Sequence, residues 1–232
     1  MPVRAVLFDL DDTLLHHTRT SRQALQRVFT YQLEKQETTL ERLCLLNDSL
    51  YYELFPRVLD GELTREQARA IRFQRMLKDC GQDVTTQQSE HLALAYQEAY
   101  DLERTCVPGA VNLLRHLKNR VEVAVLTNNP VRSVRDEELL EVLLEHWFVS
   151  GAVGLKKPDP KFFLYALEAV GCSPQEAVMV GDSWEKDVLG ARVVGVRAVW
   201  FSPLKATSPS PEVLVLQSFE PLEHVLNLLL ER

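Results

Sequence analysis

The chain has 232 residues, of which 46% are hydrophobic and 25% charged, the usual balance of a folded globular protein. Its 26 Lys and Arg residues are outnumbered by 33 Asp and Glu residues, so the formal net charge is −7. This charge excludes the basic surface that general binding to nucleic acid or to an anionic membrane needs. The sequence has no apolar run of the about 20 residues that a membrane span requires. The opening MPVRAVLF is too short for an export signal, and we therefore expect a cytoplasmic protein.

Short apolar runs that end in polar residues recur along the chain and are typical of buried parallel strands. These strand candidates are residues 3–8, 121–126, 177–180, 196–201 and 213–216. Helical patterns alternate with them at residues 109–119, 131–145, 159–170, 184–194 and 220–230, and residues 173–176 predict a single helical turn. The alternation predicts an α/β fold with a doubly wound parallel-sheet (Rossmann-like) core, in which ligands bind at the carboxyl ends of the strands.

The alternation stops between residues 16 and 104, where four helical stretches follow one another. They cover residues 20–36, 38–55, 64–80 and 85–101, and their apolar residues recur at the spacing that hides one face of a helix. We expect an α/β core made of residues 1–15 and 105–232, with an inserted helical-bundle domain made of residues 16–104. The Ser- and Pro-rich residues 202–211 predict a surface loop.

Three carboxylates crowd the end of the first predicted strand, at Asp9, Asp11 and Asp12. In extended backbone, Asp9 and Asp11 point to the same side about 6 to 7 Å apart. Like charges at that distance raise the pKa of one carboxyl group, which then holds a proton unless a cation intervenes. An ionised nucleophile beside a protonated acid suits covalent catalysis followed by protonation of a leaving group. The alternative is a solvated acidic turn, because short acidic patterns arise easily.

A second acidic pair, Asp182 and Asp187, follows the apolar residues 177–180. Together with Asp9 and Asp11, this pair forms a set of hard oxygen ligands, which suits Mg²⁺ and argues against zinc or copper. The alternative is that Asp182 caps a helix and Asp187 is solvated.

Two further segments offer groups that bind anions. Thr127 and Asn128 follow a predicted strand and supply a hydroxyl, an amide and backbone N–H groups at the kind of turn that binds phosphate oxygens. Lys156 and Lys157 supply a cation just before Pro158. For the two lysines, an exposed loop of charges is the alternative.

In this order, the four segments resemble the haloacid dehalogenase-like (HAD) hydrolase superfamily. Its members share an Asp-x-Asp-x-Thr sequence, a Thr or Ser after a second strand, a Lys before Pro, and a Gly-Asp followed by a further Asp. The matching positions here are 9–13, Thr127, Lys157 and 181–187. The helical insertion resembles the type-1 cap of that superfamily. Only 29 residues separate Thr127 from Lys157, which leaves no room for the other kind of cap.

The resemblance implies phosphoryl transfer in which Asp9 is the nucleophile. Asp11 is then the general acid that protonates the leaving oxygen and later, as a base, activates water. Lys157 is the cation that offsets charge on the nucleophile and on the phosphoryl group. Thr127 would bind a phosphate oxygen, and Asn128 would assist through its backbone N–H.

The same resemblance implies a Mg²⁺ site made of four aspartates. The carboxylate of Asp9, the backbone carbonyl of Asp11 and the carboxylate of Asp182 would ligate the ion. Asp187 would act through water or as a supporting acceptor.

These roles imply a Mg²⁺-dependent phosphatase that hydrolyses a small phosphorylated metabolite through an aspartyl-phosphate intermediate. A phosphomutase shares this machinery and stays open as an alternative. A dehalogenase of the same superfamily fits less well, since dehalogenases lack an acid at the position of Asp11. From another class, a receiver-like phospho-acceptor also uses Asp, Thr and Lys at strand ends, but it is much shorter and lacks the helical insertion. The substrate and the oligomeric state stay open.

Two positions depart from the common pattern of the superfamily. Asp12 stands where Gly or Asn is also common, and Asn129 stands where a Gly is expected. Neither departure falls on a position with a carried-over catalytic role, and we expect both to alter the loop beside the phosphate.

Overall fold

The computed structural model describes residues 2–142, 144–203 and 208–231. The chain divides into two compact units. The sheet unit contains Met1–His16 and Thr105–Arg232, and the helical unit contains His17–Arg104. Within the described ranges, every helix is too short or too polar to cross a lipid bilayer.

The sheet unit is built on parallel strands. They are β1 (Ala5–Phe8), β2 (Glu122–Thr127), β3 (His146–Val149), β4 (Ala177–Gly181), β5 (Arg197–Phe201) and β6 (Leu214–Leu216). Within the described residues these six strands form one sheet in the order β3-β2-β1-β4-β5-β6, and every neighbouring pair is parallel. All residues of the central strand β1 are buried, as expected for a strand covered on both faces. The predicted α/β fold with a doubly wound parallel sheet is confirmed.

The helical unit consists of α1 (Thr18–Val28), α2 (Thr30–Glu34), α3 (Leu40–Leu59), α4 (Arg65–Asp79) and α5 (Thr86–Glu103). Threonine side chains at 39, 64 and 85 cap α3, α4 and α5 by accepting a hydrogen bond from a backbone N–H of the first turn. The pattern over residues 20–36 predicts one helix, but the structure interrupts it at Phe29. The Thr30 hydroxyl donates to the carbonyls of Gln26 and Arg27, which competes with the helical ladder.

Helices cover both faces of the sheet. They are α6 (Ala110–Lys118), α7 (Val134–Leu140), α8 (Ser150–Val153), α9 (Pro160–Val170), α10 (Gly190–Val193) and α11 (Leu222–Leu230), with a 3-10 turn at Pro174–Glu176 and a π-helical turn at Trp184–Leu189. Apolar residues of α6 and α11, such as Leu113 and Leu229, pack in one core cluster. Residues of α9, such as Phe162 and Phe163, pack in the other. Two apolar layers therefore hold the central strands in place.

The prediction of one helix over residues 131–145 is wrong in its extent. Helix α7 covers only Val134–Leu140 and ends where Glu141 adopts a left-handed φ of 51°. His146–Val149 then forms β3 beside β2. A strand of four residues is too short for its periodicity to be recognised in the sequence. Residue 143 lies outside the described residues, as do residues 204–207 of the predicted surface loop.

Candidate active site

The order of the strands brings three predicted site segments to one edge of the sheet. Phe8, the last residue of β1, pairs with both β2 and β4, so Asp9 leaves the sheet between the ends of those strands. Thr127 ends β2, and Asp182 directly follows β4. In doubly wound sheets this carboxyl edge is where ligands bind.

A buried lysine joins this edge from the loop before α9. The Nζ atom of Lys157 lies 2.5 Å from Oδ1 of Asp9 and 2.7 Å from Oδ1 of Asp187. Burial by itself lowers the pKa of an ammonium group, but the charges of Asp187 and Asp9 outweigh it and raise the pKa of Lys157 above its ordinary value. Lys157 is therefore a fixed cation, whereas the adjacent Lys156 is exposed.

Three carboxylates surround this cation. Asp9, Asp182 and Asp187 each place one oxygen within 4.8 Å of the others. Burial raises the pKa of Asp9 well above its usual range; Lys157 opposes this shift, and the charges of Asp187 and Asp182 add to it. Burial, followed by the charges of Asp187 and Asp12, raises the pKa of Asp182 to about 7. The cluster carries more negative than positive groups, so it favours either a bound proton or a further cation.

The donor set fits Mg²⁺. All three carboxylates offer hard oxygen atoms, the ligand type that Mg²⁺ prefers, and no sulfur or imidazole belongs to the cluster. Asp187 already has a partner on each oxygen, since Lys157 contacts Oδ1 and the backbone N–H of Ser183 donates to Oδ2 over 3.0 Å. Asp9 and Asp182 are thus better placed than Asp187 to ligate an ion directly.

The position of Asp187 depends on a glycine and on the π-helical turn. A Cβ atom added at Gly181 would lie 2.4 Å from Cγ and Oδ2 of Asp187, so only glycine allows this approach. The turn at Trp184–Leu189 carries Asp187 back toward the end of β4, and π-helical turns of this kind are frequent at functional sites. Asp187 is 1% exposed.

Thr13 links the ends of β1 and β4. Its Oγ1 donates to Oδ2 of Asp9 over 3.2 Å and accepts from the backbone N–H of Asp182 over 3.1 Å. The side chain is fully buried, so both bonds form away from water. Thr13 therefore orients the carboxylate of Asp9, a role that its spacing in the sequence pattern does not by itself reveal.

The side chain of Asn128 holds the backbone of Lys157. Its Nδ2 donates to the Lys157 carbonyl over 2.9 Å, and its Oδ1 accepts from the Lys157 N–H over 2.8 Å. Both polar atoms of the Asn128 side chain are therefore engaged with the backbone of Lys157. Thr127 is buried, and its Oγ1 accepts from the N–H of Asn129 over 3.2 Å.

Asn129 contacts Asp11, a residue to which the resemblance gives a catalytic role. Its Nδ2 donates to Oδ2 of Asp11 over 3.0 Å. The carbonyl of Asn129 is itself fixed, because it accepts hydrogen bonds from the Ser150 hydroxyl and the Gly151 N–H over 3.2 and 3.3 Å. A contact between residues so far apart in sequence depends on the packing of β2 and β3 against the first loop.

The backbone conformation of Asp12 explains why Gly or Asn is also common at this position in the superfamily. Its φ is 60°, in the left-handed region that Gly, Asn and Asp adopt most readily. This conformation lets the chain turn sharply, so that the N–H of Asp12 donates to the carbonyl of Leu15 over 2.7 Å.

Comparisons with known proteins find a matching family and similar phosphatases. The family model of haloacid dehalogenase-like hydrolases matches residues 3–195. A phosphoserine phosphatase of Thermus thermophilus is 33% identical over 221 residues, covering 85% of this chain and 88% of the relative. A glyceraldehyde 3-phosphate phosphatase of Pyrococcus furiosus is 29% identical over 205 residues, covering 86% of this chain and 80% of the relative.

A solved structure has the same fold. The HAD-hydrolase YfnB of Bacillus subtilis, in a crystal structure bound to magnesium, superposes with a TM-score of 0.72 at 24% identity, covering 98% of this chain and 100% of its own. The family model spans most of the chain, from two residues before β1 to two residues before β5. The chain therefore belongs to the haloacid dehalogenase-like hydrolase family.

Proposed function

We propose that this protein is a Mg²⁺-dependent phosphatase that hydrolyses a small phosphate monoester through an aspartyl-phosphate formed on Asp9. The observation that carries the proposal is the buried pair of Asp9 and Lys157, with 8% and 3% of their surfaces exposed. A nucleophilic carboxylate needs a fixed cation beside it if it is to accept a phosphate dianion. The edge of the sheet supplies that arrangement.

The reaction has two displacement steps. In the first, a carboxylate oxygen of Asp9 bonds to phosphorus, the bond to the leaving oxygen breaks, and Asp11 gives that oxygen its proton. In the second, water bonds to the same phosphorus and gives its proton to Asp11. The bond between phosphorus and Asp9 then breaks, which releases phosphate and restores both carboxyl groups.

Other residues bind and orient the phosphoryl group. Lys157 offsets the negative charge that builds up between Asp9 and the transferring oxygens. Thr127 and the backbone N–H of Asn128 bind phosphate oxygens at the end of β2. Asn128 also fixes the backbone of Lys157 through its two side-chain hydrogen bonds, which couples the proposed phosphate-binding segment to the cation.

Asp9 and Asp182 would hold the Mg²⁺ ion, with the carbonyl of Asp11 as a further ligand and Asp187 in support. When bound, the ion supplies positive charge that offsets the carboxylates and polarises the phosphoryl oxygens. The phosphatase relatives, named for phosphoserine and glyceraldehyde 3-phosphate, support a small phosphorylated metabolite as the substrate class.

The acid at position 11 favours phosphate esters over organic halides. A halide leaves without a proton, so a dehalogenase has no use for Asp11, whereas an alkoxide leaving group needs one. The hydrogen bond from Asn129 holds Asp11 in a defined orientation, as a proton donor requires.

The proposal is tested by phosphate release from para-nitrophenyl phosphate, O-phosphoserine and glyceraldehyde 3-phosphate, with Mg²⁺ and after treatment with a chelator. We expect multiple turnovers that depend on Mg²⁺, and a loss of at least about a thousandfold in the variant Asp9→Asn. Asp60→Asn, which changes an exposed aspartate, is the matched control and should keep the wild-type rate. Undiminished turnover by Asp9→Asn would contradict the proposal, as would an isomerised phosphate ester in place of free phosphate.

A further inference from the structure

The backbone of Asp182 is held by two side chains from elsewhere in the sheet unit. Asp182 directly follows β4, so it lies beyond the last residue of that strand. Its N–H donates to Oγ1 of Thr13 over 3.1 Å, and its carbonyl accepts a hydrogen bond from Nε1 of Trp200 over 2.7 Å. Both backbone polar groups of Asp182, a candidate Mg²⁺ ligand, therefore have a side-chain partner.

Trp200 reaches Asp182 from the neighbouring strand β5. In the parallel register of the two strands, Trp200 pairs with Gly181, the last residue of β4. The Trp200 side chain therefore leaves the sheet beside the residue that precedes Asp182. Its indole ring is half-buried and packs against the apolar core cluster that contains Phe163. The core thus holds the ring, and the ring holds the Asp182 carbonyl.

The neighbouring Trp184 shows what packing alone requires. Trp184 packs against the same core cluster, and its ring centroid lies 5.4 Å from that of Trp200 at an interplanar angle of 71°. In the part of the chain that the structure describes, the indole of Trp184 forms no hydrogen bond, whereas that of Trp200 donates to Asp182. A phenylalanine ring can pack in either place but has no N–H to donate. The donor is therefore the property that distinguishes Trp200.

We propose that Trp200 is a positioning residue of the Mg²⁺ site, whose indole N–H holds the backbone of Asp182 and so keeps its carboxylate in place for the ion. The inference rests on the proposed function, which assigns Asp182 to the ion. Groups behind a metal ligand orient it, and a ligand that is already held loses little conformational freedom on binding. Mg²⁺ demands near-ideal octahedral geometry, whereas Ca²⁺ accepts variable geometry. Trp200 therefore contributes to affinity for Mg²⁺ and to its selection over Ca²⁺.

Binding of Mg²⁺ and of Ca²⁺ to the full chain is measured by calorimetry without substrate. Trp200→Phe keeps an aromatic ring and removes the donor. It should weaken Mg²⁺ binding by about twofold to tenfold, the effect of losing one neutral hydrogen bond, and should weaken Ca²⁺ binding less. Trp184→Phe makes the same chemical change in the adjacent ring and is the matched control, so it should bind both ions as the wild type does.

A purely structural role of Trp200 would lower Tm and leave ion binding unchanged. Equal Mg²⁺ affinity and an equal ratio of Mg²⁺ to Ca²⁺ affinity in folded Trp200→Phe and in the wild type would therefore overturn the proposal. If Trp200→Phe does not fold, NMR of the wild type serves instead. The chain has three tryptophans, and the Trp184→Phe and Trp147→Phe spectra assign the Trp200 indole N–H signal by elimination. That signal should shift as Mg²⁺ saturates the protein, and a signal that Mg²⁺ does not move would overturn the proposal.

Rates of phosphate release separate this proposal from the proposed function. In Trp200→Phe, the Mg²⁺ concentration that gives half of the maximal rate should rise by the same factor as the dissociation constant from calorimetry. Mg²⁺ binding that depends on Trp200, without any phosphate release, would refute the proposed phosphatase and leave the role of Trp200 intact. Mg²⁺-dependent phosphate release with the same Mg²⁺ affinity in the wild type and both variants would do the reverse.

Discussion

Replacing Lys157 by Met keeps the length of the side chain and removes its charge from the centre of the candidate site. The lysine side chain is 2% exposed, and its two partners, Asp9 and Asp187, are 11% and 1% exposed at the side chain. Water therefore screens these contacts little, and the substitution leaves two buried carboxylates facing each other.

The size of the effect follows from that burial. Removing one partner of a buried ion pair costs about 3–5 kcal/mol of unfolding free energy, because the remaining charge is left uncompensated. At about 2–4 °C per kcal/mol for a chain of this length, Tm should fall by roughly 6–20 °C. The rate of phosphate release should fall by about 10²–10³, the usual effect of removing a charge that stabilises a transition state.

The deficit in stability should depend on pH. Burial already raises the pKa of Asp9, and Lys157 is the group that opposes this shift, so its removal raises the pKa further. A carboxyl group whose folded pKa lies above its unfolded value contributes stability at low pH and loses it as the pH rises through the folded pKa. Relative to the wild type, the Met variant should therefore be less destabilised near about pH 5 than near about pH 8.

Thermal unfolding followed by circular dichroism at both pH values, together with steady-state phosphate release, measures these effects. Lys156→Met is the matched control, because Lys156 is the adjacent residue and is exposed. If the two Met variants melt within about 2 °C of each other near neutral pH, less than the smallest shift expected for a broken buried pair, then Lys157 does not have the buried ion pairs described.

Three further predictions concern the same edge of the sheet. Asn129→Ala should lower kcat for alkyl phosphates by about tenfold to a hundredfold and affect aryl phosphates less. The substitution removes the hydrogen bond to Asp11, the proposed proton donor, and aryl leaving groups need little protonation. Gly181→Ala should cost about 1–3 kcal/mol or more in chemical denaturation, since its Cβ would lie 2.4 Å from Asp187. The increase in Tm on adding Mg²⁺ should grow as the pH rises through about 7, because Asp182, whose pKa is raised to about 7, must lose its proton to ligate the ion.

Each of these predictions has an outcome that contradicts it. Asn227→Ala, which changes an exposed asparagine, is the control for Asn129→Ala and should leave kcat for both alkyl and aryl phosphates unchanged. An equal loss on alkyl and aryl phosphates in Asn129→Ala would show that the contact does not serve proton transfer. Wild-type stability of Gly181→Ala would mean that the Asp187 side chain is not held against β4. A Tm increase with Mg²⁺ that is constant across the pH range would exclude Asp182 as a ligand that releases a proton.

Most of the fold is predictable from local sequence patterns. The predictions that fail do so for physical reasons. Strands β1, β2 and β4 are apolar runs that end in polar residues. The pattern that predicts each of these strands therefore also marks the candidate site residues at its end. The strand His146–Val149 is different, because its four residues carry no readable period and its pairing with β2 defines it. At the interruption beside Phe29, the Thr30 hydroxyl bonds to two carbonyls of the preceding turn, a local contact that hydrophobic periodicity does not reveal.

The part of the candidate site that is predictable from the sequence is the part that the order of the strands determines. Parallel strands that are neighbours in the sheet bring their carboxyl ends together, so the meeting of Asp9 and Asp182 is expected once β1 lies beside β4. The contacts of Asn128 with Lys157 and of Asn129 with Asp11 cross 29 and 118 positions of the chain. Such amide contacts depend on the tertiary position of loops, which no local pattern encodes. The catalytic roles of these residues stay predictions.

An aspartyl-phosphate on Asp9 is tested by locating the phosphoryl group during turnover. A single-turnover reaction with a labelled phosphate ester is quenched in acid within the first turnover, and the protein is digested and mapped by mass spectrometry. We expect a phosphorylated peptide with the group on Asp9, absent from Asp9→Asn and accumulating in a variant of Asp11 that cannot activate water. A phosphoryl group on any other residue, or turnover that proceeds with no phosphorylated protein at any time, would contradict it.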